Sequence, residues 1–341
     1  YEKAGDTGWI AILDTGKPGS RIALRADIDA LLVPEEPNNL AGPRVVVSDD
    51  PHTSHACGHD AHTAMLLGAM RVLAEQRDNL TGVIYFCFEE DGRGILAMLN
   101  QLSAHGVDVC WGIHVYAGLE SGKICVSAGP RMAGAAGVGI KVIGRGGHGS
   151  QPQNTTDPVL AAAQMIVMMQ QIVARRVDPM EMAVFSLGSI HGGDAPNVIP
   201  AEVKFGGVTR AYSESVRSVI KEQVQAIAKG IEAASGNTVH IHYADGYPSA
   251  FNDKELMDLA ADAVRKELGE DAVVPMPDPM PFSEDFSFYG KLGGIPSAYL
   301  MLYAGHEGEL APLHNPKCAV REDVMPAGIR TLVSIALEFL K

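Results

Sequence analysis

Apolar and polar positions along the first third of the chain predict strands and helices in alternation. Two short apolar runs, Trp9–Leu13 and Arg21–Arg25, flank a turn of glycine and proline and predict a pair of strands. The segment Asp60–Glu75 carries apolar residues at helical spacing. A strand over Val83–Phe88 and a helix over Ile95–His105 follow. Strands that alternate with helices indicate an α/β sheet domain.

The pattern changes beyond residue 133, where the elements follow in a different order. The strands and helices expected there are Gly139–Ile143, Asp157–Arg176, Ala183–Ile190, Val203–Ala211, Ser213–Ser235 and Thr238–Tyr243. The order strand, helix, strand, strand, helix, strand is that of a ferredoxin-like (βαββαβ) module. Helix and strand then resume at Asp253–Leu268 and Ser297–Leu302, and a helix ends the chain. We therefore predict a domain of residues 134–244, inserted into a discontinuous domain of residues 1–133 and 245–341.

Composition restricts the partners of these domains. A length of 341 residues is more than one core normally sustains. The formal net charge of −14 argues against nucleic acid and anionic membranes, because both need a basic surface, but it is compatible with a small acidic substrate. Five scattered cysteines without a C-x-x-C pair predict a reducing, cytoplasmic setting. The most apolar run, 159–173, is interrupted by glutamines and too short to span a bilayer, so we expect a soluble protein.

The run SHACGHD, residues 54–60, is the first candidate for a metal site. Cys57 and His59 lie two positions apart in a glycine-containing turn just before a predicted helix. That spacing can bring a thiolate and an imidazole to one ion. Taken alone, the pair is explained equally well as a buried cysteine beside a surface histidine.

Further candidate ligands follow the predicted strands. Glu89, Glu90 and Asp91 come directly after an apolar strand, where a buried unpaired acid is costly and where the sites of α/β sheets lie. Taken alone, such a run more commonly forms a solvated acidic loop. His114 ends another apolar strand, and His314 lies in a late loop. Because four strand ends or loops each carry Cys, His or Glu, their coincidence favours a metal site with mixed nitrogen, oxygen and sulfur ligands.

With these residues assembled, the chain resembles the metallopeptidase family that includes aminoacylase, carboxypeptidase G and succinyl-diaminopimelate desuccinylase. It is most similar to the branch of hippurate, auxin-conjugate and N-acyl-amino-acid amidohydrolases. The motifs that carry the resemblance are Arg25–Leu31, His55–Asp60, Gly146–Gly149, Asn197–Pro200, Ser283–Ser287 and Leu313–Pro316. They are ordered and well separated, and they cover most of the chain.

The resemblance implies a zinc-exopeptidase-like catalytic domain with one or two divalent metal ions, which manganese, zinc, cobalt or nickel could supply. The implied ligands are Cys57 as a bridge, with His59, Glu90, His114 and His314. Glu89 would be the general base, which takes a proton from metal-activated water and returns it to the leaving nitrogen. Asp27 and Glu284 would orient the side chains that bind the metal.

The resemblance also assigns roles to the inserted domain, which in this family is a lid and usually the dimerisation surface. We therefore expect a homodimer or higher homo-oligomer. His148 would polarise the scissile carbonyl. Asn197 and Arg210 match the positions that hold the carboxylate of a small substrate, and the planar fork of arginine suits that task.

Two departures from the family pattern matter for function. Relatives begin with a helix and strand that this chain lacks, and they carry Gln-Pro-Ala where this chain runs from Phe88 straight into Glu89. A shifted alignment would make Glu90 the base and Asp91 the ligand. We prefer Glu89 and Glu90 because the stretch onward to His114 then needs no gap.

Three functions are weighed on this basis. The leading one is metal-dependent hydrolysis of C–N (amide) bonds in N-acyl or N-aroyl amino-acid-like substrates. The second is hydrolytic deamination of an amino-aromatic acid, which the altered loop before Glu89 supports. The third is a metal-binding scaffold without catalysis, against which the intact ligand set argues.

Overall fold

The computed structural model describes residues 1–39, 41–90, 92, 94–116, 121–276, 278–306 and 311–341. The chain divides into two compact units. The first comprises Tyr1–Gly129, Phe251–Asp278 and Asp285–Lys341, and the second comprises Pro130–Ala250 and Pro279–Glu284. The short segment Pro279–Glu284 thus joins the second unit, outside the residues 134–244 expected for the inserted domain.

The first unit is built on a mixed eight-stranded sheet. Its strands, in spatial order, are Glu2–Ala4, Gly8–Asp14, Val83–Glu89, Arg21–Asp27, Val109–Tyr116, Ser297–Tyr303, Ile124–Cys125 and Val273–Val274. The four central strands run parallel to one another, whereas Gly8–Asp14 is antiparallel to Val83–Glu89 and Ile124–Cys125 is antiparallel to Ser297–Tyr303. The carboxyl ends of the parallel strands therefore meet at one edge of the sheet. This architecture confirms the predicted α/β class.

Helices cover both faces of this sheet, which explains why its central strands are buried and largely apolar. They are α1 (His59–Glu75), α2 (Ile95–His105), α6 (Lys254–Leu268), α7 (Ser287–Lys291) and α8 (Met325–Phe339). Strand Ser297–Tyr303 is buried at every position, as expected for a strand covered on both sides. At Gly328, α8 approaches α1 so closely that an added Cβ would lie 2.1 Å from Met65 Sδ.

The second unit has a four-stranded antiparallel sheet. Its strands, in spatial order, are Ala183–His191, Glu202–Ala211, Gly134–Ile143 and Thr238–Asp245. Helices α3 (Pro158–Met169), α4 (Gln171–Arg176) and α5 (Glu214–Ser235) pack on one face of it. Two of these helices begin with a side-chain cap. Asp157 accepts hydrogen bonds from the backbone amides of residues 159 and 160, and Ser213 accepts one from the backbone amide of residue 216.

The stretch Pro158–Arg176 of the second unit is long and apolar enough, by length and composition alone, to cross a membrane. This stretch is longer than the apolar run 159–173 identified in the sequence, so its length does not exclude a membrane-spanning helix. Its residues Ala161, Met165, Met169 and Ile172 pack into the core of the second unit. A core helix of a soluble protein has the same composition, so the stretch is weak evidence for a membrane.

Candidate metal centre

A tight turn places the first two candidate ligands at the sheet edge. Gly58 has φ of 83°, and an added Cβ would lie 2.4 Å from Val115 Cγ2. Glycine is therefore required there for both its conformation and its size. Cys57 and His59 flank this glycine, and α1 begins at His59. The turn thus brings both side chains to the end of strand Val109–Tyr116.

His59 is held in the orientation of a metal ligand. Its Nδ1 lies 2.8 Å from Asp29 Oδ1, while its Nε2 faces Asp27 Oδ2 at 3.4 Å. A carboxylate behind one ring nitrogen is a common support for a histidine whose other nitrogen binds metal. Burial acts to lower the pKa of His59, but hydrogen bonds with Asp29 and Cys57 and the charge of Asp27 raise it to about 11. A divalent cation would displace the proton that this site attracts.

His114 is oriented in a similar way by the backbone. Its Nδ1 donates to the carbonyl of Val115 at 2.5 Å, so the lone pair of a neutral ring lies on Nε2. That Nε2 is 3.6 Å from Cys57 Sγ. Burial, and then the neighbouring His62, hold the pKa of His114 well below its usual range. His114 therefore directs the lone pair of Nε2 at the thiol of Cys57.

Four side chains converge where these strands end. One donor atom from each of Asp27, His59, His62 and His114 lies within 4.8 Å of the others, and all four residues are buried. Burial opposes ionisation of Asp27, yet His62 and Arg25 hold its pKa well below its usual range. With the adjacent thiol of Cys57, the imidazole, carboxylate and sulfur donors fit a divalent transition metal.

A buried arginine lies beside this cluster. Arg25 is 3.2 Å from Asp27 Oδ2, 3.1 Å from Glu89 Oε2 and 2.5 Å from Asp285 Oδ1. All four side chains are at most 2% exposed. One guanidinium thus serves three carboxylates, and each would be costly to bury without it. Arg25 therefore connects the metal cluster with the predicted base.

The two carboxyl oxygens of Glu89 differ in their surroundings. Oε2 accepts from Arg25 and, at 2.8 Å, from the hydroxyl of Tyr289. Oε1 is buried and, among the described residues, has no hydrogen-bond partner. Burial raises the pKa of Glu89 to about 8, although the charge of Arg25 opposes this shift. A carboxyl group with one uncommitted oxygen and a pKa near neutrality can exchange protons.

Glu90 and His314 are not among the four converging residues. Glu90 is half-buried and accepts a hydrogen bond from the hydroxyl of Thr7. Asp91, the ligand of the shifted alignment, lies outside the described residues. His314 is exposed with φ of 70°, and its amide donates to the Ala56 carbonyl at 2.7 Å. That hydrogen bond places the backbone of the His314 loop beside the turn that carries Cys57.

The remaining predicted residues belong to the second unit. His148 lies in a two-residue strand paired with the segment that follows Asn197. Its Nδ1 accepts from the amide of Ser150 at 3.1 Å, which leaves Nε2 as the donor of a neutral ring. Arg210 and Glu284 are half-buried. The roles of these residues at the metal cluster stay predictions.

Several residues at or beside the cluster were not predicted from the sequence. Asp29 and Arg25 lie inside the motif that contains Asp27, so their proximity could have been noticed. His62 follows His59 by three positions in α1, the spacing that places two side chains on one helix face. Asp285 lies inside the motif Ser283–Ser287, but nothing local pairs it with Arg25, because the two residues meet only through the fold.

Comparison with known proteins identifies the relatives of this chain. Residues 23–338 match the profile of peptidase family M20/M25/M40. The chain is 34% identical over 346 residues to IAA-amino acid hydrolase ILR1-like 2 of Arabidopsis thaliana, covering 98% of this chain and 76% of that protein. It is 35% identical over 321 residues to N-acetyl-L-cysteine deacetylase of Bacillus subtilis, covering 93% and 74%.

A solved structure extends the match to three dimensions. The YXEP protein of Bacillus subtilis, a dinuclear metal binding peptidase from the M20 family, superposes with a TM-score of 0.82 at 29% identity. The match covers 98% of this chain and 85% of that one. The predicted resemblance, the enzyme class acting on C–N bonds and the dependence on a divalent metal are thereby confirmed. The chain belongs to peptidase family M20/M25/M40.

Proposed function

We propose that this metal-dependent hydrolase cleaves the amide bond of N-acyl or N-aroyl amino-acid-like substrates at the centre formed by Cys57, His59 and His114. The observation that carries the proposal is the orientation of the two histidines. Each has its Nδ1 bound to an acceptor, Asp29 or the Val115 carbonyl, and presents its Nε2 to the cluster. Such fixed rings reduce the reorganisation needed when a cation binds.

The proposed ligand set is Cys57, His59, Glu90, His114 and His314. Distances support Cys57, His59 and His114, and the amide of His314 supports the placement of its loop. The inclusion of Glu90 in this ligand set rests on the sequence motif that contains it. When bound, manganese, zinc, cobalt or nickel would raise the acidity of water and polarise the scissile carbonyl.

Glu89 is the proposed general base. Its Oε1 takes a proton from water and passes it to the leaving nitrogen, while Arg25 and Tyr289 hold Oε2 in place. Holding one oxygen fixes the direction of the other. The uncommitted oxygen and the pKa near neutrality support this role.

The substrate is a small molecule, and we propose that it bears a carboxylate. Asn197 and Arg210 would bind that group, and His148 would donate from Nε2 to the carbonyl. A homodimer or higher homo-oligomer would use the second unit, where Leu160 and Val167 of α3 are 58% and 72% exposed. A cytoplasmic location is proposed from the free cysteines.

A second candidate reaction is deamination of an amino-aromatic acid. Strand Val83–Glu89 continues through Cys87 and Phe88 to the base without the proline of relatives. This changes the side chains that precede Glu89 and so the wall beside the base. An aryl amine that expels ammonia would use the same activated water.

One experiment separates the two reactions. The purified protein is stripped with a chelator, reloaded separately with Mn²⁺, Zn²⁺, Co²⁺ or Ni²⁺, and given N-acyl amino acids, hippurate-like conjugates, dipeptides and aminobenzoic acids. Products are identified by mass spectrometry, and ammonia is assayed. Metal-dependent amide cleavage supports the proposal. Ammonia from the aminobenzoic acids alone would overturn it in favour of deamination.

A further inference from the structure

His62 lies inside the cluster but differs from the two proposed histidine ligands. It is 1% exposed, and its ring centroid is 4.3 Å from that of His114 and 5.3 Å from that of His59. Position alone would make it a ligand. Its hydrogen bonds decide otherwise.

Both ring nitrogens of His62 are occupied by protein groups. The backbone amide of Val115 donates to Nε2 at 2.8 Å, and an amide nitrogen can only donate. Nε2 therefore carries no hydrogen, and its lone pair is used. Nδ1 of the neutral ring then carries the hydrogen and donates to Asp27 Oδ1 at 2.5 Å. No lone pair remains for a cation in this orientation.

The same bonds fix Asp27. With Oδ1 held by His62, Oδ2 is directed at His59 Nε2, 3.4 Å away, and accepts from Arg25. His62 also joins α1 to the amide that immediately follows His114. The ring of His62 thus links Asp27, at the end of strand Arg21–Asp27, to the strand that carries the proposed ligand His114.

We propose that His62 is a positioning residue, which holds Asp27 with one oxygen directed at the metal cluster and is not itself a metal ligand. The inference rests on the metal centre of the proposed function. It adds that the centre has a fixed carboxylate, and that this carboxylate depends on the hydrogen at Nδ1 of His62.

Two substitutions separate the two bonds of His62. In His62→Asn the amide nitrogen lies near the position of Nδ1 and can still donate to Asp27, but Val115 loses its acceptor. In His62→Gln the carbonyl reaches the position of Nε2 and can still accept from Val115, but Asp27 loses its donor. His52→Asn, at an exposed histidine, is the control for general loss of an imidazole.

The measurements are the Zn²⁺ dissociation constant and stoichiometry, by competition with a chromophoric chelator, and the thermal midpoint of the metal-free protein. We expect His62→Gln to weaken Zn²⁺ binding by about 10–100-fold at unchanged stoichiometry, as for other residues that support ligands. His62→Asn should bind Zn²⁺ nearly as wild type does. Its metal-free midpoint should fall further, because a buried amide is left unpaired.

Other outcomes overturn the proposal. Loss of one Zn²⁺ equivalent in both variants would make His62 a ligand. Equal Zn²⁺ affinity in both variants, with only stability changed, would make it merely structural. If either variant fails to fold without metal, the Gln change is repeated in Asp27→Asn, where a residue acting through Asp27 should have no added effect on affinity. Wild-type protein that binds no Zn²⁺ would instead refute the proposed metal centre itself.

Discussion

The two sheets of this protein treat polar side chains in opposite ways. In the first, both faces are covered, and the charged groups Arg25 and Glu89 are 1% and 0% exposed. In the second, one face is open, and Lys204 and Glu202 pair at 60% and 44% exposure. A charge buried between two layers needs a partner, whereas one on an open face has water. The candidate catalytic groups therefore lie in the sheet whose charged side chains are buried and can pair only with one another.

The largest effect that this comparison predicts concerns activity. Glu89→Gln should lower kcat by about 10²–10⁴-fold, since it removes the proton acceptor while an amide can still contact Arg25 and Tyr289. The matched change in the open sheet, Glu202→Gln, should leave kcat unchanged. Steady-state kinetics with metal content measured alongside gives the answer. Undiminished turnover in the Glu89 variant would refute its role, and Glu90→Gln would then be tested as the base.

The next effect concerns stability. Arg25→Met leaves three buried carboxylates without their cation, so we expect the free energy of unfolding to fall by about 3–5 kcal/mol. Urea denaturation followed by circular dichroism measures it. Lys204→Met in the open sheet should cause no measurable change, because water solvates Glu202 and Lys141 still pairs with it. Equal losses in the two variants would contradict the comparison.

The smallest effect concerns packing and uses two helical glycines. Gly328→Ala forces a Cβ against Met65 between α8 and α1, and we expect a loss of about 1–3 kcal/mol. An added Cβ at Gly230 of α5 meets nothing within 4 Å, so Gly230→Ala should stabilise by about 1 kcal/mol through helix propensity. Thermal unfolding of the two variants compares them. A gain at both positions would show that the first unit packs less tightly than described.

Features that depend on neighbouring residues could be predicted from the sequence. The alternation of strands and helices predicted the α/β class because burial on both faces produces continuous apolar strands such as Ser297–Tyr303. The pair Cys57 and His59 could be identified because a short turn at Gly58 forces them together. The expectation that the run 159–173 is too short to span a bilayer was less well founded, because the helical stretch Pro158–Arg176 extends beyond that run.

Contacts between residues that are distant in the chain could not be predicted from the sequence. Asp285 meets Arg25 across 260 positions, and Tyr289 meets Glu89 across 200. Nothing in the spacing of these residues predicts the pairing, because it depends on which strands become neighbours in the sheet. The sequence also offered no means to distinguish His62 from a ligand.

The sequence by itself determined the fold class, the family and the candidate donors, because apolar periodicity and short motifs are properties of neighbouring residues. Only the tertiary structure decided which ring nitrogens face the cluster and which are bound to other groups of the protein. His59 and His114 present Nε2 to the cluster, while His62 uses both nitrogens on Asp27 and the Val115 amide. The physical reason is that a hydrogen-bond partner fixes which ring nitrogen carries the proton, and those partners come from strands that are adjacent only in the folded protein.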